Sequence, residues 1–170
     1  LQAIHNETKL AKAGKKAHII AKMNALLEPT IITALYEASR AGVKIDLIVR
    51  GVCALRPGVE GLSENIRVRS VIGRFLEHTR IFYFRNNLKH DTYLSSADWM
   101  NRNFFRRIEV CFPLLDKKLK KRVLDEGLKI YLRDNVQAWE MSENGSYRRK
   151  RIRNSTPVCA QTTLLAQLAN

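Results

Sequence analysis

The feature that most constrains this chain is the succession, between Ala17 and Val49, of an apolar segment, a segment with helical spacing and a second apolar segment. Ala17-His18-Ile19-Ile20-Ala21-Lys22-Met23 is short and mostly apolar, as a strand covered on both faces must be. Pro29, whose fixed φ suits a first helical turn, opens a stretch in which Ile31, Ile32, Leu35 and Ala38 recur at helical spacing as far as Ala41. Gly42 then stands where a left-handed cap ends a helix. Lys44-Ile45-Asp46-Leu47-Ile48-Val49 is a second strand, rich in β-branched residues. A strand, helix, strand crossover is right-handed in nearly every case and leaves its two strands parallel. Both strands therefore end at one carboxyl edge, the place where ligands bind in open α/β sheets. Lys22 and Asn24 close the first strand there and Arg50 closes the second.

A loop rich in Gly, Pro and Glu follows from Gly51 to Asn65. Strands are expected at Ile66 to Val71, Thr79 to Phe84, Thr92 to Ser95 and Arg107 to Pro113, the last stopped by its proline. Asp116 is placed to cap a helix through about Leu132, with Leu119, Val123, Gly127 and Ile130 on its inner stripe. Lys117, Lys118, Lys120, Lys121 and Arg122 crowd its first turns against the helix dipole, so they are read as a solvated face. Asn144-Gly145-Ser146 is a turn, Tyr147 to Arg153 is strongly basic, and Thr162 to Ala169 has the makings of a short helix. The chain of 170 residues, 45% apolar, is long enough to bury an ordinary core. It reads as one α/β unit over residues 1–170, a mixed sheet flanked by helices, with 144–170 as a basic tail and terminal helix.

Thirty Lys and Arg against sixteen Asp and Glu leave a net charge of +14, more than solubility needs, and point to a polyanionic or acidic partner. Charge alone leaves nucleic acid, phospholipid, nucleotide and polyphosphate equally open. Cys53, Cys111 and Cys159 are odd in number and far apart, with neither CxxC nor Cys/His spacing, which supports no disulfide framework and no zinc site and fits a reducing cytoplasm. No apolar run approaches the roughly 20 residues that span a bilayer, and the start lacks the organisation of a signal peptide. Opening in mid-pattern with Leu1-Gln2-Ala3-Ile4-His5, the sequence reads as an excerpt from a longer chain.

Arg50 is the strongest single candidate for ligand binding: Gly51 allows close backbone approach, and a planar guanidinium suits two phosphate oxygens at once. Arg74, His78 and Arg80 converge within one short segment. Lys22 and Asn24 suit a polar strand end and a phosphate pocket about equally. Ser96 and Asp98 alternate after a strand and are placed to orient His78 or the basic groups. Trp99 is expected to pack and Cys53 to be buried, while Arg102, Asn103, Arg106 and Arg107 suit a solvated basic loop better than the lining of an anionic channel. His5, His18 and His90 show no partner pattern.

Val49-Arg50-Gly51-Val52-Cys53-Ala54-Leu55-Arg56-Pro57-Gly58, Arg74-Phe75-Leu76-Glu77-His78-Thr79-Arg80 and Ser95-Ser96-Ala97-Asp98-Trp99-Met100, together with Lys22-Met23-Asn24, resemble in order and spacing the C-terminal catalytic domain of bacterial polyphosphate kinase. His78-Thr79-Arg80 is similar to the His-x-Lys signature of phospholipase D-like enzymes, although the acidic residue expected a few positions on is Arg85, which weakens a nuclease or lipase reading. The resemblance implies a phospholipase D-like domain at the C-terminal end of a larger multidomain enzyme. That enzyme would move the γ-phosphate of ATP reversibly to inorganic polyphosphate through a phosphohistidine upstream of this chain, so the isolated chain is expected to be inactive. It further implies ATP/ADP, Mg2+ with ligands outside this chain, upstream domains as partners, a homo-oligomeric full enzyme, and a cytoplasmic location with peripheral membrane association left open. By the same resemblance Arg50 contacts nucleotide phosphates, His78 is an acid or ligand contact rather than the nucleophile, and Lys22, Asn24, Arg74 and Asp98 complete the nucleotide and phosphate set. No metal site is assigned among these residues. The competing reading is a non-catalytic polyanion or nucleic-acid binding module.

Overall fold

Eight strands form one mixed sheet in the order β6-β5-β4-β1-β2-β3-β7-β8 in the computed structural model, which describes residues 1–150 and 155–169. The strands are β1 (His18–Met23), β2 (Lys44–Val49), β3 (Ile66–Val71), β4 (Ile81–Phe84), β5 (Asp91–Ser95), β6 (Cys111–Pro113), β7 (Ala138–Met141) and β8 (Tyr147–Arg149). The helices are α1 (Gln2–Lys12), α2 (Pro29–Arg40), α3 (Asn101–Phe105), α4 (Lys117–Leu124), α5 (Ile130–Arg133) and α6 (Ala160–Leu168). The central three strands, β1, β2 and β3, are parallel, and β4 and β7 flank them antiparallel.

The crossover at the centre follows from local chemistry. Glu28 caps α2 by accepting a hydrogen bond from the Ile31 N–H at 2.8 Å, Pro29 occupies the first turn, and Gly42 takes φ +90° just beyond the end. Because side chains alternate along a strand, Ile19, Ala21 and Met23 of β1 face one way and Ile20 and Lys22 the other. The first set packs with Ile31, Ala34, Leu35 and Ala38 of α2 and Ile4 of α1. Ile20 packs on the opposite face with Ile48, Tyr83, Leu128, Ile130, Tyr131 and Ala160. The α/β class and the helices on both faces are as expected from sequence.

Several details differ. Helix α1 was not assigned from sequence. Its Glu7 is fully buried and accepts hydrogen bonds from the backbone N–H groups of His18, at 2.9 Å, and Asn86, so a buried acid ties the helix to the sheet. The helix from Asp116 is interrupted by a π turn over Asp125–Lys129. Leu119, expected on the inner stripe, is exposed, because α4 buries none of its residues and its five cations keep the first turns in water. The stripe begins only at Val123. Gly127, in the π turn, lies so close to β4 that a Cβ there would stand 2.3 Å from Ile81 Cδ1. The start of the basic segment belongs to the sheet: Tyr147–Arg149 pairs with β7 around the Asn144-Gly145-Ser146 turn, while 151–153 lie outside the described residues.

Parallel β1, β2 and β3 share a carboxyl edge, and antiparallel β4 and β7 start there. Strand β5 runs antiparallel to β4 and so ends there as well. Lys22, Asn24, Arg50, the segment 72–80 and Asp98 are thereby brought to one side of the molecule.

Candidate active site

Every residue proposed for the site reaches this edge, but not in equivalent states. Arg50 is half-buried, and its backbone is fixed by a hydrogen bond from its N–H to the Met23 carbonyl at 3.2 Å and one accepted by its own carbonyl from Ser70 Oγ at 2.9 Å. Its Nε donates to Asn24 Oδ1 at 3.1 Å. That single contact holds the guanidinium plane and leaves the terminal nitrogens, the pair suited to two phosphate oxygens, without a carboxylate partner among the described residues. Asn24 is buried, and its Nδ2 has no hydrogen-bond partner among the described residues. A buried amide donor left unmade costs free energy of about 1–3 kcal/mol.

Gly51 also makes a close approach within the chain itself. Its N–H donates to the Asn24 carbonyl at 2.8 Å, and a Cβ would meet that same oxygen at 3.0 Å, so the close approach is to the end of β1.

Asp98 does not reach His78. It grips Arg80, with Oδ1 accepting from Nε at 3.2 Å and Oδ2 from Nη2 at 3.0 Å, and Oδ1 also accepts from the backbone N–H groups of Asn24 and Ala25. Burial pushes its carboxyl upward, but the Arg80 hydrogen bonds and charge and the two backbone donors outweigh it and hold the group below its ordinary value. Arg80 is the link, since its Nη1 donates to His78 Nδ1 at 2.9 Å and to the His78 carbonyl at 3.1 Å. An imidazole accepting at Nδ1 carries its proton, when neutral, on Nε2, which makes Nε2 the donor of the exposed ring. Arg80 thus holds its neighbour while itself held by Asp98. Of the two orienting targets expected for Asp98 and Ser96, His78 or the basic groups, Asp98 meets the second. Ser96 instead donates to Glu109 and accepts from the Val110 N–H at 3.0 Å.

Lys22 is engaged elsewhere. Strand alternation turns it toward α5, where Nζ lies 2.7 Å from Glu77 Oε2 and 3.3 Å from the centre of the Tyr131 ring, with its side chain 4% exposed. Burial pulls the ammonium below its ordinary value against the attraction of Glu77. Glu77 is pushed up by burial, but Lys22 and the hydrogen bonds from Gln161 and Tyr131 prevail and keep it below the usual carboxylate range. The space bounded by Lys22, Arg50, Glu77, Thr79 and Tyr131 is about 10 Å³, room for one water at most, so no phosphate fits beneath the edge. Arg74 is exposed, with its guanidinium 5.6 Å from the Phe75 ring. Trp99 is buried and stacks on Phe82, as expected of a packing residue, and burial pushes the Cys53 thiol up to about 11.

Glu77 and Gln161 were missed from sequence. Glu77 is the sole acid between Glu64 and Asp91, in a stretch that holds five arginines. An isolated acid in so basic a segment is the signal that would have found it.

A divalent cation does not fit the protein groups at this edge. Both oxygens of Glu77 are taken by Lys22, Tyr131 and Gln161, and both of Asp98 by Arg80 and backbone N–H groups. Among the described residues no cluster of three His, Cys, Asp or Glu side chains could hold a metal ion. A larger concavity of about 760 Å³ lies along β3, β7 and β8. Its basic lining is offset by Glu64, Glu140 and Glu143, and Glu140 already pairs with Arg69 and Lys150.

The fold and this edge define an α/β domain with a cationic carboxyl edge to its sheet. The sequence model of the family described as polyphosphate kinase C-terminal domain 2 matches residues 1–161. A polyphosphate kinase of Burkholderia lata is 62% identical over 174 residues, covering 100% of this chain and 25% of that protein. The crystal structure of polyphosphate kinase from Porphyromonas gingivalis superposes with a TM-score of 0.94 at 42% identity, covering 99% of this chain and 26% of that one. NucT from Helicobacter pylori shares the fold alone, at TM-score 0.50 and 12% identity over 73% of this chain and 84% of that one. The chain belongs to the polyphosphate kinase family, as its C-terminal domain 2. It spans about a quarter of the length of the curated relatives it matches.

Proposed function

We propose that this domain supplies one wall of a phosphoryl-transfer site, in an enzyme that moves the γ-phosphate of ATP reversibly to the end of inorganic polyphosphate. The observation that carries this reading is Arg50: its plane is set by Asn24, its backbone by β1 and β3, and its terminal nitrogens face no carboxylate among the described residues. Phosphoryl transfer asks for positioning and neutralisation of charge on the phosphate oxygens more than for covalent work by the protein. Arg50 serves that need as a two-pronged clamp. Asn24 adds a free amide donor beside it, and Arg74 adds diffuse positive charge. His78, steadied by Arg80, contacts the ligand or passes a proton from Nε2, while the phosphorylated histidine is supplied from upstream. Lys22, being paired with Glu77, contributes to the framework of the site in this reading, and Asp98 acts by holding Arg80. The His-x-Arg sequence, in a mixed α/β sheet, supports a phospholipase D-like ancestry.

Whole-enzyme features carried by the family resemblance belong to the same proposal: ADP as product, Mg2+ held by groups outside this chain, upstream domains completing the pocket, a homo-oligomeric enzyme and a cytoplasmic location. Among the described residues no helix is long and apolar enough to cross a membrane.

The test is Arg50→Lys in the full-length enzyme. The substitution keeps the charge but loses the planar fork. A charged hydrogen bond is worth about 1.5–3 kcal/mol, so turnover should fall at least about tenfold with an unchanged melting temperature. Wild-type turnover would refute the clamp. The net charge of +14 favours a second reading, a non-catalytic polyanion-binding module. That module would bind any polyanion with steep salt dependence and would show no special sensitivity to Arg50.

A further inference from the structure

The segment joining β3 to β4 carries His78, and most of it is exposed: Ile72, Arg74, Phe75, Leu76, His78 and Thr79 all face solvent. A connection of this kind, with no helix or strand of its own, ordinarily lies at the low end of local stability. Here it is gripped from below. Gln161 of α6, 7% exposed, accepts the Phe75 N–H on Oε1 at 2.9 Å and donates from Nε2 to the Phe75 carbonyl at 2.7 Å, so its amide pairs with Phe75 as a neighbouring strand would. The same Nε2 donates to Glu77 Oε1 at 2.8 Å. Tyr131 Oη donates to that oxygen at 2.9 Å, and Lys22 holds the other.

Two further features show that this contact is built in. Gly73 makes room for it, since a Cβ there would stand 2.4 Å from Gln161 Oε1. The start of α6 is itself pinned: the fully buried Asp134 accepts from the Ala160 N–H at 2.7 Å and from three N–H groups of the turn leading into β7, while Asn135 accepts from the Val158 N–H at 2.7 Å. The Gln161 amide therefore projects from a fixed backbone onto the residue two before Glu77 and three before His78.

We propose that Gln161, acting with Glu77, is a positioning residue that latches the 72–80 segment and so sets His78 against Arg80. This rests on the reading of His78 as a group that works on the ligand. A misplacement of about 1 Å at a reacting group can cost roughly a hundredfold in rate, which is the scale on which losing such a latch should register.

The experiment uses the full-length enzyme with Gln161→Met, which keeps length and removes all three hydrogen bonds of the amide. Gly73→Ala disturbs the same contact from the other side and stands in if the first variant folds poorly. The expected result is a kcat lower by about 10- to 100-fold, with KM for ATP within about threefold. Amide exchange should become faster over 73–80 and stay unchanged in the central strands. In a His78→Ala background the added substitution should cost little more, because it acts through a residue already removed. Unchanged kcat in either latch variant would overturn the proposal, and so would a loss that multiplies fully with that of His78→Ala. Wild-type kcat in His78→Ala alone would bring down the reading of the site together with the latch. A damaged His78→Ala beside an active Gln161→Met would bring down the latch only.

Discussion

Two halves of the same sheet edge hold the same kinds of side chain in opposite conditions. On one half Lys22 is sunk under Tyr131 and neutralised by Glu77, with the space around it closed to about 10 Å³. On the other, Arg50 is mounted on Asn24, and Arg80 carries an exposed imidazole. Each arginine is fixed through Nε, but Arg80 is satisfied by Asp98 while Arg50 has no carboxylate among the described residues. Positive charge at a strand end therefore does not by itself mark a ligand contact. What distinguishes Arg50 is that a neutral group holds it in place, with no carboxylate beside it among the described residues.

The comparison can be broken most forcefully at Glu77. Glu77→Leu leaves Lys22 buried without a partner, and breaking such a pair typically costs about 3–5 kcal/mol, to be read in denaturant unfolding. The double variant Lys22→Met with Glu77→Leu should recover most of that loss, since apolar replacements of buried ion pairs are often neutral. A single variant as stable as the wild type would mean that the sealed half is not sealed.

A smaller effect is expected with pH. Glu77 and Asp98 both sit below their ordinary values in the folded protein. The stability they contribute is fully present above the unfolded value of roughly 4 and is lost as the pH falls through the lower folded values. Melting temperature measured from pH 6 down to pH 3 should fall less steeply in the Lys22→Met, Glu77→Leu double variant than in the wild type. Equal slopes would mean that Glu77 titrates as a free surface group. The smallest effect belongs to the open half: Arg50→Lys, which breaks no buried ion pair, should leave the unfolding free energy within about 0.5 kcal/mol of wild type.

The difference between the halves also explains what could be read in advance. The central crossover was legible because its strands are mostly apolar runs and its helix carries its own start and stop at Pro29 and Gly42. Asn24 and Arg50 were legible as members of one edge, since the crossover fixes which strand ends coincide, whereas His78 and Asp98 joined them through the family resemblance. The buried network was not, because the partners of Glu77 lie 55, 54 and 84 residues away at Lys22, Tyr131 and Gln161, with no local pattern to join them. The π turn that precedes Tyr131 has no signature in an otherwise ordinary helical stretch. The short strand β8 was hidden by a basic composition that suits a sheet margin as well as a loose tail, and β7 by its length of four residues. Arg80 was noticed as a charge, but its service to His78 depends on a two-pronged grip from Asp98 that spacing alone does not reveal.

The central claim is that phosphate meets Arg50 and not Lys22. Calorimetric titration of ATP into the full-length enzyme tests it most directly, comparing Arg50→Ala with the Lys22→Met, Glu77→Leu double variant at low and moderate salt. The account predicts that Arg50→Ala weakens ATP binding at least about tenfold while the double variant stays within about threefold of wild type. A double variant that loses as much affinity as Arg50→Ala would show that Lys22 lends its charge to the phosphates, and would contradict the division of the edge into a sealed and an open half.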